Sequence, residues 1–280
     1  MKSAQRLATN YLRAKFKLLS SVSKKKAAKK AFELFCSPQT RNIKKLPKIF
    51  EVAEELNFVF DKNIMHGYRW NHPSGRKVLI LHGFESSVIN FDWYVKPLVR
   101  KGYEVLAFDA PANGRSGGKM INALIYKNFI LEIHKRYGPI QSYLAHSFGG
   151  LALTLALEDI KHGNDYRAVV VAPATESPTA INSFFNLLKL DDEVRIEFEK
   201  LILQVNNNPS EWYSVSRAIK NIKAKILWVH DEDDDTTPLT DALKVKEKNH
   251  PHIQFVITKG LGHSRIYRDN EVRKNIIEFI

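Results

Sequence analysis

From residue 77 onward, short apolar runs alternate with helical stretches, and this alternation restricts the fold more than any other feature of the chain. Lys77–Leu81, Glu104–Phe108, Ser142–Ala145 and Ala168–Val171 each suit a strand buried on both faces. Periodic stretches near Ile89–Arg100, Ile121–Tyr137 and Leu151–Ile160 predict helices between and after them. Two further strands are expected at Ile226–Val229 and Ile253–Ile257, with helices near Thr240–Lys248 and Glu271–Phe279. Upstream, Leu56–Phe60 and Met65–Trp70 read as a short hairpin. Strand alternating with helix implies an α/β fold with a mostly parallel central sheet and helices on both faces.

The segment 175–223 breaks this rhythm. It is helical in pattern and lies between two expected strands, so it reads as a small helical cap or lid insertion. Its Phe184, Phe185, Leu187, Leu188, Leu201, Ile202, Trp212 and Tyr213 either pack the cap or line an apolar acyl pocket. The expected organisation is a basic helical arm over residues 1–45, an α/β core over 46–174 and 224–280, and the cap over 175–223.

The formal net charge of +13 is not spread evenly. Residues 1–32 hold ten basic side chains and no acidic one, and the remainder of the chain is nearly neutral. No nucleic-acid partner is therefore expected for the body of the protein. The arm carries Leu7, Tyr11, Leu12, Phe16 and Leu19 at helical spacing among its cations. Two roles fit: these residues dock on the body, or an amphipathic basic helix buries Leu12, Phe16 and Leu19 in an anionic membrane surface. The start lacks an apolar signal core, and an acid-poor basic segment also overlaps with organellar transit peptides. No run of about 18 apolar residues suggests a transmembrane helix. The single cysteine, Cys36, reads as a small buried residue and demands no oxidising compartment. A cytoplasmic enzyme, with peripheral membrane contact through the arm as an option, is the expectation. The sequence leaves the oligomeric state open.

Ala145-His146-Ser147-Phe148-Gly149-Gly150 ends one expected strand and opens the next helix. A tight strand-to-helix turn lifts a serine hydroxyl above the sheet edge, and small residues two before and two after prevent backbone clashes. The motif resembles the nucleophile elbow G-x-S-x-G of the α/β-hydrolase fold superfamily, with Ala145 in place of the first glycine. Leu81-His82-Gly83-Phe84 is similar to that superfamily's His-Gly turn. The resemblance implies that the backbone N–H groups of Phe84 and Phe148 form an oxyanion hole worth about 3 kcal/mol per donor. His82 is expected to brace the loop. Asp109 to Ser116 is similar to the superfamily's D-x-x-G-x-G-x-S stretch and is assigned to loop architecture.

The run His230-Asp231-Glu232-Asp233-Asp234-Asp235 offers five carboxylates. The superfamily pattern His-Gly-x-x-Asp-x-x-x-Pro, anchored on Pro238, implies Asp234 as the triad acid. Asp231 then stands where a glycine is usual, a place calling for a left-handed backbone that aspartate tolerates. Most of the run reads as a solvated acidic loop. Gly260-Leu261-Gly262-His263-Ser264 resembles the glycine-flanked histidine of the same superfamily. The other histidines, His146 among them, read as surface or core residues.

The order Ser147, Asp234, His263 is the order this fold imposes on its triad. The resemblance covers roughly residues 77–280 and implies a serine hydrolase that acts on an ester-like bond in a small apolar substrate through an acyl-enzyme. No cofactor or metal is required. Serine at the elbow argues against a haloalkane dehalogenase, which uses aspartate there. Carboxylesterase, lipase, thioesterase, C–C hydrolase, acyltransferase and haloperoxidase readings stay open, since one triad serves many substrates. The alternative from another class is a non-catalytic binding protein that kept the fold.

Overall fold

The computed structural model describes residues 3–41 and 43–280. In chain order its elements are α1 (Ser3–Val22), α2 (Lys24–Cys36), β1 (Glu54–Phe60), β2 (Asn63–Trp70), β3 (Lys77–Leu81), α3 (Asp92–Arg100) and β4 (Glu104–Phe108). Then come α4 (Ala123–Tyr137), β5 (Ser142–His146), α5 (Phe148–Leu157), β6 (Arg167–Val171), α6 (Ser177–Leu188), α7 (Asp192–Asn206) and α8 (Val215–Ala218). The chain closes with β7 (Lys225–Asp231), α9 (Leu239–Lys246), β8 (Ile253–Thr258), α10 (Gly262–Arg265) and α11 (Asn270–Phe279). Two compact units result. A sheet unit comprises Pro38–Thr175 and Val215–Ile280, and a helical unit joins the segment ending at Ser37 to Glu176–Ser214.

In the sheet unit all eight strands form one sheet in the order β1-β2-β4-β3-β5-β6-β7-β8. β1 pairs antiparallel with β2, β2 pairs antiparallel with β4, and every other pair is parallel. The mostly parallel sheet expected from the strand–helix rhythm is present, extended at one edge by the hairpin. Successive side chains on a strand point to opposite faces. Val78, Ile80, Val105 and Ala107 accordingly pack with Tyr94, Val95 and Leu98 of α3 and with Val272 and Ile276 of α11. The opposite phase carries Phe108, whose ring meets Phe129 of α4 edge-on. Fully buried strands on both sides explain why β3 to β6 read as continuous apolar runs.

The helical unit has its own interior. Phe198 of α7 is buried and meets Phe32 and Phe35 of α2 edge-on, with ring centroids 5.6 and 5.8 Å apart. Phe185 joins at 5.2 Å, and Ile181, Leu188, Val194 and Ile202 are buried as well. Much of the insertion's apolar side-chain material is thus taken up by packing against the first two helices. Small Ala27, Ala28 and Ala31 are buried along α2 and allow the close approach of α7. Phe16 of α1 is 3% exposed, and Leu12 and Leu19 are half-buried. These three residues dock the arm inside the helical unit, so they are not the residues that face a membrane.

Two boundaries differ from the sequence reading. The arm's helices pack with α6 and α7 rather than forming a unit of their own, with Phe32 and Phe35 of α2 meeting the rings of Phe184 and Phe198. The insertion closes at Ser214, not at residue 223. Val215, Ala218 and Ile219 are buried in the sheet unit, where Arg217 forms a bidentate pair with Glu158 just after α5. Cys36 is buried, and burial pushes its thiol up to about 12. Among the described residues no helix is long and apolar enough to cross a membrane.

Candidate active site

The sheet unit brings together Ser147 from the turn after β5, Asp234 from the loop after β7 and His263 from the short helix α10 that follows β8. Ser147 sits between β5 and α5 with φ 55° and ψ −122°, a region that costs a non-glycine residue of order 1–3 kcal/mol. The surroundings hold it there. Its N–H donates to the Val171 carbonyl at 3.0 Å, and its carbonyl accepts from the Ala174 and Gly150 amides. Two glycines make room for it. A Cβ on Gly149 would lie 2.7 Å from the His82 carbonyl oxygen, and one on Gly83 would lie 2.9 Å from the Ser147 Cβ.

Ser147 Oγ lies 2.9 Å from Nε2 of His263. On the other side of the ring, Nδ1 lies 2.8 Å from Oδ2 of Asp234. Asp234 Oδ1 accepts from the Thr236 and Thr237 amides at 2.9 and 2.8 Å. Burial pushes the Asp234 carboxyl up, but the His263 hydrogen bond and charge together with these amides outweigh it and hold it below the usual carboxylate range. It therefore stays charged, which fixes Nδ1 of His263 as the protonated nitrogen and leaves Nε2 to accept from the serine.

Phe148 opens α5, and its N–H points out of the helix N-terminus with the positive end of the dipole behind it. Phe84 follows Gly83, and the rings of Phe84 and Phe148 meet edge-on at 6.1 Å. Among the described residues neither amide donates to a protein acceptor. His82 braces the turn from beneath. Its Nδ1–H donates to the Gly83 carbonyl at 2.7 Å, and its Nε2 accepts from the Ala110 amide at 2.9 Å. Burial lowers its pKa, which suits the neutral ring this pairing needs. Asp109 organises the neighbouring loop. Its carboxylate accepts from the Ser87 hydroxyl and from the Val88 and Arg115 amides at 2.7–2.9 Å.

Asp231 departs from its expected place. It is the last residue of β7 and does not occupy a left-handed turn. Its buried carboxylate accepts from the Asp233 and Gly262 amides at 3.0 and 2.9 Å, the Leu261 amide at 3.1 Å and the Thr258 hydroxyl at 2.6 Å. Asp231 thus ties down the loop that carries His263. Asp233 adds a bond from the Gly260 amide. Glu232, Asp233 and Asp235 are exposed, as expected for most of the run, whereas the buried Asp231 and Asp234 hold the loops in place. A regular strand end leaves Asp231 pointing at the next parallel strand, which is why β8 and its loop are within reach.

Two more residues escape a sequence reading. His146 is buried and its Nε2–H donates to the His263 carbonyl at 3.1 Å, while its ring centroid lies 4.8 Å from that of His263. Burial and the nearby His263 charge lower it to about 3, so it stays neutral. Tyr267 backs it at 4.6 Å and itself stacks on Phe91. Thr237 Oγ lies 2.9 Å from Asp234 Oδ2 and 3.1 Å from His263 Nδ1. The only sequence signal for either is adjacency, one residue before the serine and three after the acid.

A mostly parallel eight-stranded sheet with a strained serine at one strand end and histidine at another defines an α/β hydrolase of the serine type. The chain belongs to the family described as serine aminopeptidase, S33, whose model matches residues 72–275. It is 24% identical over 270 residues to the uncharacterized protein YqkD of Bacillus subtilis (strain 168), covering 90% of this chain and 88% of that protein. Among solved structures it resembles the Pyrococcus furiosus esterase Pf2001, with 20% identity, a TM-score of 0.65 and coverage of 87% of this chain and 95% of that one. It also resembles Est1E of Butyrivibrio proteoclasticus, solved with ferulic acid, at 18% identity and TM-score 0.62, covering 80% of this chain and 97% of that one.

Proposed function

We propose that the protein is a carboxylesterase that cleaves esters of small apolar acyl groups through an acyl-enzyme formed on Ser147. The observation that carries this reading is the hydrogen-bonded chain Ser147–His263–Asp234, with links of 2.9 and 2.8 Å, built on a serine held in a strained backbone conformation. Strain of this kind persists at functional sites because it positions a group for chemistry. A binding protein would gain nothing from retaining it, and glycine would relieve it.

In this mechanism Ser147 Oγ attacks the ester carbonyl while His263 Nε2 takes its proton. The carbonyl oxygen becomes an oxyanion that accepts hydrogen bonds from the Phe84 and Phe148 amides. Collapse of the tetrahedral intermediate breaks the bond to the alkoxide, which receives the proton from His263. Water then gives a proton to the same Nε2 as it attacks the acyl-enzyme. Collapse of this second intermediate releases the acid and breaks the bond to Ser147 Oγ, which takes the proton back from His263. Asp234 orients the ring and stabilises its positive form throughout. The preference for an apolar acyl group rests on the rings of Phe84, 37% exposed, and Phe148 beside these amides.

A fluorophosphonate probe tests the nucleophile and a series of p-nitrophenyl esters of graded acyl length tests the substrate class. Labelling at Ser147 with preferential turnover of apolar acyl esters is the expected result. An unlabelled protein would return the non-catalytic reading, and faster turnover of aminoacyl anilides than of esters would make it a peptidase.

A further inference from the structure

The helix α1 has two apolar faces, and the helical unit uses only one. Phe16, Leu12 and Leu19 turn inward. Leu7, Tyr11, Leu18 and Val22 are 71%, 68%, 70% and 73% exposed. At about 100° per residue these four and exposed Ala14 line a single stripe on the far side of the helix from Phe16. Lys15 runs along one edge of the stripe, and Arg6 and Lys17 lie along the other. Of the neighbouring cations, Lys24 is engaged by Asp191 and Glu193 and Lys30 by Glu33. Arg6, Lys15, Lys17, Lys25, Lys26 and Lys29 form no ion pair among the described residues.

Whatever covers this stripe must be apolar and must tolerate dense positive charge around it. A second copy of the chain fits poorly, because residues 1–32 contain ten cations and no carboxylate with which to pair. An anionic lipid surface meets both requirements, since acyl chains cover the stripe and phosphates meet the lysines.

We propose that the outer face of α1 adsorbs to anionic phospholipid membranes, with Leu7, Tyr11, Leu18 and Val22 entering the headgroup region. This does not depend on the esterase reading, because the stripe and its flanking cations are outside the catalytic unit. Each cation that reaches the surface adds about fivefold to the partition coefficient, so the attachment is salt-dependent.

The experiment is co-sedimentation of the full chain with vesicles of phosphatidylcholine alone and of phosphatidylcholine mixed with phosphatidylglycerol, at low and high salt. A triple variant, L7S/L18S/V22S, replaces only exposed side chains and should keep the wild-type melting temperature. The proposal expects binding to the anionic vesicles only, loss of it at high salt, and a loss of about tenfold or more in the triple variant. Absence of binding to anionic vesicles at low salt overturns it. Equal binding by the triple variant also overturns it, since the stripe would then play no part. A wild-type dimer in sedimentation velocity that the triple variant abolishes, without vesicle binding, assigns the stripe to a second copy instead.

Discussion

The two units use their carboxylates in opposite ways. In the sheet unit Asp109, Asp231 and Asp234 are buried, and each accepts three or more hydrogen bonds that hold loops around Ser147 and His263. In the helical unit Asp191 and Glu193 pair with Lys24 and Glu197 pairs with Lys200 at the surface. Surface pairs are worth little, because water already solvates both partners. Buried carboxylates leave unpaired donors behind when removed. Charge therefore positions the chemistry in one unit, whereas apolar packing forms the interior of the other.

The sharpest break of this comparison is at the triad. Ser147→Ala and His263→Ala should each lower turnover of p-nitrophenyl esters by on the order of 10⁴-fold or more with the melting temperature nearly unchanged, because triad members act as a unit. Asp234→Asn should come second at on the order of 10³–10⁴-fold, since the amide favours the wrong tautomer of His263. Activity in Ser147→Ala close to wild type would remove the mechanism.

In the helical unit the corresponding test is Phe198→Ala. It empties the contact with Phe32, Phe35 and Phe185 and should cost about 3–5 kcal/mol of that unit's stability, read by denaturant unfolding. A loss under about 1 kcal/mol would mean that the unit is not packed around this ring.

Asp231→Asn comes next, at about 1–3 kcal/mol with reduced turnover, because the amide puts N–H in place of one of the two oxygens, either the one that accepts from Leu261 or the one that accepts from Gly262. Burial pushes the Asp231 carboxyl up, but the Thr258 hydroxyl and the Gly262, Asp233 and Leu261 amides hold it below the usual range. A depressed folded-state pKa contributes stability that is complete above the ordinary value of about 3.9 and disappears as pH falls through the folded one. The difference in melting temperature between wild type and Asp231→Asn should therefore be full at neutral pH and close below about pH 4. A gap that persists in acid would locate the effect in packing. The smallest effect is expected at Asp235→Asn, whose exposed carboxylate accepts, among the described residues, from the Thr236 hydroxyl; turnover and melting temperature should barely change.

The residues of the candidate site were legible because each belongs to a local signal. Small residues around Ser147 and glycines around His263 are demanded by tight turns, and a turn is a property of a few consecutive residues. The partners that support them were not legible in the same way. His146 carries no sign in the chain that its ring will rest against His263, 117 positions later. Asp231 was misplaced because a pattern of spacing assigned it to a turn, whereas β7 runs one residue further and aims its carboxylate across to the loop after β8.

The same division holds for the molecule as a whole. Apolar periodicity and turn chemistry act over a few residues, so the sequence by itself determined the alternating elements, the parallel sheet and the serine, acid and histidine loops. It also determined that the first 32 residues form a cationic, amphipathic segment. Only the tertiary structure decided which apolar side of that segment is consumed by packing, because both faces of α1 carry large side chains and the choice depends on where α2 and α6 lie. It alone decided the division of labour in the acidic run as well. Five adjacent carboxylates are nearly equivalent along a chain, and become different only when one is buried against β8, one meets an imidazole and another is left in water.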